Sequence, residues 1–190
     1  AGGTSVFTNL DISGDIDVDG TTNLDIVDID GAVDMASTLQ VDGSITSSDG
    51  MTITTADNSN TLELISTDND TAEGPILAFN RSVADVAAGD LIGTIKFLGE
   101  DDAGNAALYH EIQASIEDGS NGGEDGRLTI YQSIAGATKN VLDFKSSEII
   151  FNQDSVDLDF RVESNGDTHM LFVDGGNDRV GISTSAPSTL

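Results

Sequence analysis

The sequence predicts an all-β protein, and three observations lead to that prediction. Apolar and acidic residues alternate with period two near the amino terminus, as in the segment from Leu10 to Gly20. This alternation places aliphatic side chains on one face of an extended strand and carboxylates on the other. Asp-Gly pairs, which favour tight turns, follow at short intervals. No stretch predicts a stable helix, since even residues 83–88 are too few to form one.

The acidic region is a loose repeat of short strands and turns. Its Asp-Gly pairs are separated by 11, 12 and 7 residues and lie at Asp19-Gly20, Asp30-Gly31, Asp42-Gly43 and Asp49-Gly50. A strand of about five residues buries two or three aliphatic side chains, at about 1.5 to 3 kcal/mol each, and this barely offsets the entropy of ordering the chain. The apolar face of the repeat therefore needs a covering from elsewhere.

Two architectures would supply that covering: a parallel β-helix formed by one chain, or several identical chains wound around a common axis. A single-chain β-helix needs about 20 residues for each coil, so the repeat region gives fewer than three coils. We therefore expect an elongated, intertwined β fibre, most simply a homotrimer. Its core is expected to be lined by the inward-facing residues Ile12, Ile16, Val18, Ile26, Ile29, Val41, Ile53, Leu158, Phe160 and Val162.

Changes in composition along the chain predict three regions. Residues 1–55 are expected to form an acidic β-repeat shaft, residues 56–152 an antiparallel, sandwich-like β domain, and residues 153–190 a carboxyl-terminal β segment. A long Gly-rich hairpin loop is predicted at residues 118–126. Strands of the middle region are predicted at 61–67, 75–81, 91–98, 108–116, 128–133, 141–145 and 149–152.

Charge and composition limit the partners of the chain. Its formal net charge is −27, and its seven Lys and Arg residues are scattered. A polyanion without a basic patch repels nucleic acid and anionic lipid, so we expect neither nucleic-acid binding nor membrane insertion. No charged-then-apolar leader and no long apolar run is visible. The absence of Cys excludes disulfides and thiolate chemistry, and the acidity suits an extracellular protein in a saline medium.

Two acidic motifs are similar to parts of known calcium sites. The run from Asp15 to Gly20 matches the start of a D-x-D-x-D-G calcium loop, but the twelfth position, where an EF-hand has a bidentate Glu, is Ile26. The run from Asp174 to Asp178 is similar to a G-G-x-G-x-D calcium repeat, but it occurs once and lacks a glycine at the required spacing, so a β-turn is expected. No metal or cofactor site is therefore assigned, although three chains meeting at an axis would bring symmetry-related Asp residues together around a structural calcium ion.

The sequence also predicts no catalytic site. His110 and His169 have no partner at metal-binding spacing, and no G-x-S-x-G elbow is present. A glycosidase needs two carboxylates in a cleft and usually aromatic platforms for the sugar, whereas this chain has no Trp and two Tyr. We therefore expect a protein that is not an enzyme, with no catalytic or cofactor-binding residues.

Two parts of the chain resemble bacteriophage tail fibres. Residues 89–97, 114–119 and 125–130 are similar to fibre domains in which a strand of type G-D-x-[LI]-G-x-[IL]-x-F leads to a hairpin ending in G-R-L-x-[FIL]. Residues 180–187 resemble the V-G-I-G-T-x-x-P segment that precedes a self-cleaving intramolecular chaperone in many tail fibres and spikes, with Ser183 in place of the usual Gly. The resemblance implies that the carboxyl-terminal segment leads to a missing or cleaved chaperone domain.

The resemblance implies a structural virion appendage, a phage tail fibre that projects from the particle and mediates attachment to the host surface. Its implied partners are further copies of the chain, other virion or baseplate proteins, and a glycan or protein receptor on the host cell. The implied location is the virion, in the tail or another surface appendage, and so extracellular. Two alternatives stay open: a calcium-stabilised bacterial or archaeal surface-layer or adhesin repeat protein, and a polysaccharide-degrading tailspike.

Overall fold

A computed structural model describes residues 27, 29–30, 32–36 and 38–188 of the chain. In this part the protein is all-β, with eight strands in two antiparallel sheets and no helix. The all-β prediction is confirmed to this extent. The D-x-D-x-D-G motif and four predicted core residues lie outside the described residues; these four are Ile12, Ile16, Val18 and Ile26.

The chain divides into two compact units, and the first ends at Glu63. The described residues of this unit form no strand. Bends occur at Asp42-Gly43 and at Ser48-Asp49, and the latter is followed by Gly50 in the left-handed region with φ of 90°. Many apolar side chains of this unit are exposed, including three predicted core residues, Ile29, Val41 and Ile53. The described residues therefore leave this apolar series uncovered.

The second unit, which begins at Leu64, contains a five-stranded meander. Every strand pairs antiparallel with the next strand in sequence, because each connection is a short hairpin. The strands are β1 (Leu91–Glu100), β2 (Ala106–Asp118), β3 (Asp125–Ile134), β4 (Ala137–Phe144) and β5 (Ile149–Phe151).

The hairpins of the meander follow from their loop residues. Ala135 and Gly136 both have positive φ, 51° and 78°, as a two-residue hairpin turn requires. The predicted Gly-rich loop connects β2 to β3, and there the Asp118 carboxylate accepts hydrogen bonds from the backbone N–H of Ser120 at 2.8 Å and from its hydroxyl at 2.6 Å. The predictions of strands at residues 91–98, 108–116 and 128–133 and of this loop are confirmed.

Two predicted strands are wrong for the single chain. Residues 61–67 and 75–81 make no strand pairing within the described residues. The second of these segments is held to β1 by side chains instead: the Arg81 guanidinium donates to the Leu91 carbonyl at 3.1 Å and pairs with Asp90 at 3.2 Å. The strands of residues 56–152 form one sheet, and not the two facing sheets of the predicted sandwich, because each strand pairs with its neighbour in sequence.

A small three-stranded sheet follows, and it confirms that the carboxyl-terminal segment is β-structure. It consists of β6 (Phe160–Val162), β7 (Leu171–Asp174) and β8 (Arg179–Gly181), all antiparallel. Residues 175–178 form the predicted turn between β7 and β8. The Asp174 carboxylate accepts hydrogen bonds from the Asn177 backbone N–H at 2.9 Å and from its side-chain amide.

Candidate functional site

The five-stranded sheet has one apolar face and one polar face. Its strand register aligns residues into cross-strand rows, and successive rows lie on opposite faces because strand side chains alternate. We call "apolar face" the face that carries the rows Ile95, Ile112, Ile130, Leu142 and Gly93, Ala114, Leu128, Phe144. We call "polar face" the face of the intervening row, Thr94, Gln113, Thr129 and Asp143.

Burial on the two faces is the reverse of that in a free-standing soluble domain. On the polar face, Asp143 is 0% and Thr129 is 2% exposed, whereas on the apolar face Ile95 is 41% and Leu128 is 39% exposed. Among the described residues, the only large hydrophobic side chain that is buried is Phe172, at 7% exposure, in the small sheet. Since soluble domains bury apolar side chains in preference to polar ones, the apolar face lacks a full covering within the part of the chain that the structure describes.

Asp143 is the centre of a hydrogen-bond network on the polar face. Its Oδ1 accepts from Arg127 Nε at 2.7 Å and its Oδ2 accepts from Arg127 Nη2 at 2.5 Å, a bidentate charged pair. Thr129 Oγ1 donates to Oδ1 at 3.2 Å, and Asn140 Nδ2 donates to Oδ2 at 3.4 Å. The hydrogen bonds from Arg127, more than those from Thr129 and Asn140, hold the pKa of Asp143 below its usual value.

This network joins strands and offers no reactive group. Arg127 and Thr129 belong to β3, while Asn140 and Asp143 belong to β4. The Asn140 backbone N–H donates to Asp154 Oδ2 at 3.0 Å, which ties the chain after β5 to the same cluster. Because the carboxylate of Asp143 has no exposed surface and is bonded at both oxygens, it cannot reach a substrate in solvent. The network therefore acts as a structural clamp between β3 and β4.

A segment of the same unit lies against one edge of the apolar face. Phe79 stands over Gly93, so closely that a Cβ at position 93 would be 2.7 Å from the Cβ of Phe79. Phe79 also lines an open apolar cavity of about 160 Å³ together with Ile95, Ile112 and Leu128. This cavity shows that Phe79 covers the face only in part.

A wider open cavity, of about 400 Å³, lies between β5 and the three-stranded sheet. Phe151 and Phe160 form one wall, with ring centroids 4.7 Å apart. Asp174, Asp178 and Ser155 contribute its polar lining. The lining includes the Ser155 hydroxyl and these carboxylates but no imidazole, Lys or Arg.

The two histidines lie in different sheets of the second unit. His110 is an exposed residue of β2 that pairs with Phe97 and Gln132. His169 precedes β7 and packs edge-on against Phe172, with ring centroids 5.2 Å apart. Within the described ranges, no group of three or more His, Asp or Glu side chains is placed to hold a metal ion.

The apolar face is the feature that the sequence reasoning missed. The predicted core residues include none of Ile95, Ile112, Leu128 or Ile130, although each lies on an alternating strand. The signal was the period of two in residues 108–116 and 128–133, which is as clear there as in the acidic repeat.

The fold and these surfaces define a class: an all-β protein with two antiparallel sheets and an uncovered apolar sheet face. In the part of the chain that the structure describes, no helix has the length and apolarity needed to cross a membrane. Comparison of the chain with protein-family models, curated proteins and solved structures finds no match. The resemblance to phage tail fibres therefore stays a prediction from the motifs in residues 89–130 and 180–187.

Proposed function

We propose that this chain is a structural subunit of a phage tail fibre, an intertwined homotrimer that projects from the virion and attaches it to the host surface. Three copies would hold receptor-contacting surfaces away from the particle. Three weak receptor sites on one fibre bind more tightly than one, because the second and third contacts form at high effective concentration. The receptor is a glycan or protein of the host cell, and the chain itself catalyses no reaction.

One observation carries the proposal: the exposed apolar series in the described part of residues 27–63. Val33, Leu39, Ile45 and Met51 are exposed there, and no strand among the described residues pairs with this segment. A segment that buries so little apolar surface cannot offset the entropy of ordering its backbone. Winding three copies together would bury these side chains and pair the backbones, while the interleaved carboxylates would stay in water.

The net charge and the sequence motifs support a viral fibre protein over a globular protein. A net charge of −27 keeps a long β assembly soluble and opposes edge-to-edge aggregation of its strands. The tail-fibre motifs in β1 to β3 and in residues 180–187 fall in strands and turns of the second unit, as a structural role in a fibre would require.

The first test of the proposal is the solution mass, measured by light scattering with and without a calcium chelator. We expect three times the chain mass of 19.7 kDa in both conditions. A mass of one chain would overturn the intertwined fibre. A mass that falls when the chelator is added would instead favour the calcium-stabilised surface-layer protein.

A matched pair of variants tests whether the apolar series lies inside the fibre. Ile53→Asp places a charge on the apolar series, and Thr52→Asp places the same charge on the neighbouring residue, which alternation puts on the opposite side. We expect Ile53→Asp to abolish the trimer and Thr52→Asp to preserve it. Equal trimer content in the two variants would contradict the proposal.

The viral location needs a separate measurement. An antibody raised against the chain should decorate a thin appendage on virus particles in immunogold electron microscopy. Labelling of a cell-surface layer in place of particles would contradict the virion assignment while leaving the trimer intact.

A further inference from the structure

We infer that the apolar face of the five-stranded sheet is a second surface on which copies of this chain meet, within the trimer. The inference rests on the proposed function for the number of copies, but it concerns a sheet of the second unit and not the repeat region. In the proposed trimer, the apolar face of each chain is covered by the same face of the other two chains.

The size of the face is the first argument. Five strands at about 4.8 Å spacing span about 19 Å, and the two apolar rows lie about 7 Å apart along the strands. The rows form one contiguous apolar patch across the sheet, and contiguous exposed apolar patches on soluble proteins mark interaction sites. Phe79 covers only its edge at Gly93.

The distribution of charge is the second argument, and it points to a copy of the same chain. The two apolar rows contain no charged residue, although the chain carries a net charge of −27. The strand residues Lys96, Glu111, Arg127 and Asp143 all belong to the rows of the polar face. Copies that meet through the apolar face therefore bring no carboxylates together, whereas contact through an acidic surface would set like charges against each other.

The buried polar face is the third argument. On the polar face, the carboxylate of Asp143 finds its partners within the sheet, in Arg127 and Thr129. Within the described residues, the apolar face is covered only at its edge by Phe79. Around a rotation axis the same residues of each copy come together, so one apolar face completes the core of the next.

The absence of Cys makes this contact directly testable in the full chain. Leu128→Cys places one thiol on the apolar face, where the native side chain is 39% exposed in the single chain. Thr138→Cys places one thiol at an exposed position of β4, paired with Ser133 at the far end of the sheet. Each variant is treated with a short bis-maleimide and separated on a denaturing gel.

We expect Leu128→Cys to give cross-linked pairs of chains and Thr138→Cys to remain as single chains. As a second readout, a bulky monofunctional maleimide should label Leu128→Cys at least tenfold more slowly than Thr138→Cys, with the difference lost in denaturant. A wild-type trimer whose Leu128→Cys variant neither cross-links nor resists labelling would overturn this inference alone. A wild-type monomer would overturn the proposed trimer as well.

Discussion

Replacing Asp143 with Ala should destabilise the second unit by about 3 kcal/mol. The variant loses the bidentate bond from Arg127, and hydrogen bonds to charged groups contribute about 1.5 to 3 kcal/mol. It also leaves the hydroxyl of Thr129 and the amide of Asn140 buried without this acceptor, at about 1 to 3 kcal/mol for each unsatisfied group. The side chain of Arg127 is 35% exposed and can turn towards water, which keeps the loss near the low end of the range of about 3 to 5 kcal/mol for a broken buried pair.

Urea unfolding at one fixed chain concentration measures this loss, because unfolding of an oligomer depends on concentration. A loss of about 3 kcal/mol corresponds to a melting temperature lower by roughly 6 to 12 °C for a chain of this size. Asp102→Ala is the matched control, since Asp102 is an exposed loop residue, and it should change stability by less than about 0.5 kcal/mol. If Asp143→Ala and Asp102→Ala were equally stable, the assignment of a structural clamp would be refuted.

Two further predictions concern acid stability and a tight turn. Arg127 holds the pKa of Asp143 below the usual value of 3.8, so the stabilisation from this pair is complete above that value and is lost as the pH falls through the lower folded-state pKa. Wild type should therefore lose more stability than Asp143→Asn between about pH 5 and pH 2. Equal losses of stability in the two proteins over this pH range would disprove the prediction. Gly175→Ala would place a Cβ 2.5 Å from the carbonyl oxygen of Leu158, whereas a Cβ at Gly166 meets nothing within 4 Å. Gly175→Ala should therefore destabilise the chain by about 1 to 3 kcal/mol and Gly166→Ala by less than about 0.5 kcal/mol in urea unfolding, and equal losses would contradict the close packing of this turn.

The local part of the fold was predictable from the sequence. In β1 to β3, alternating side chains define strands, and the Gly-rich loop between β2 and β3 fixes a hairpin, so each pairing joins neighbours in sequence. The turn between β7 and β8 was predictable for the same reason, since Asp174 and Asn177 form it with their own side chains.

Pairing between strands was not predictable where no neighbour in sequence supplies it. Residues 61–67 and 75–81 contain the apolar side chains typical of strands, yet a strand exists only when another backbone accepts its hydrogen bonds. The residue pattern describes one segment and contains no information about the partner. The same limit explains why one sheet was found in residues 56–152 where a sandwich was predicted.

Burial was the other property that alternation could not supply. A period of two separates Leu128 and Ile130 from Thr129, but it does not say which side is covered. Acidic positions were expected to lie in water, as in the acidic repeat. Asp143 is buried, and its charge is compensated by Arg127, which is 16 residues away in sequence and reaches it across the β3–β4 pair.

The charged clamp also bears on which alignment of β3 and β4 is the stable one. On the apolar face, a slip of two residues would set Leu128 against Leu142 or Ile130 against Phe144, so one apolar pair survives either slip. Such a slip would instead move the carboxylate of Asp143 by about 7 Å relative to Thr129 and Arg127, leaving a buried charge without its partners. A slipped alignment thus keeps part of its hydrophobic contact but none of the charged hydrogen bonds of Asp143, so the salt bridge adds to the selection of the observed register.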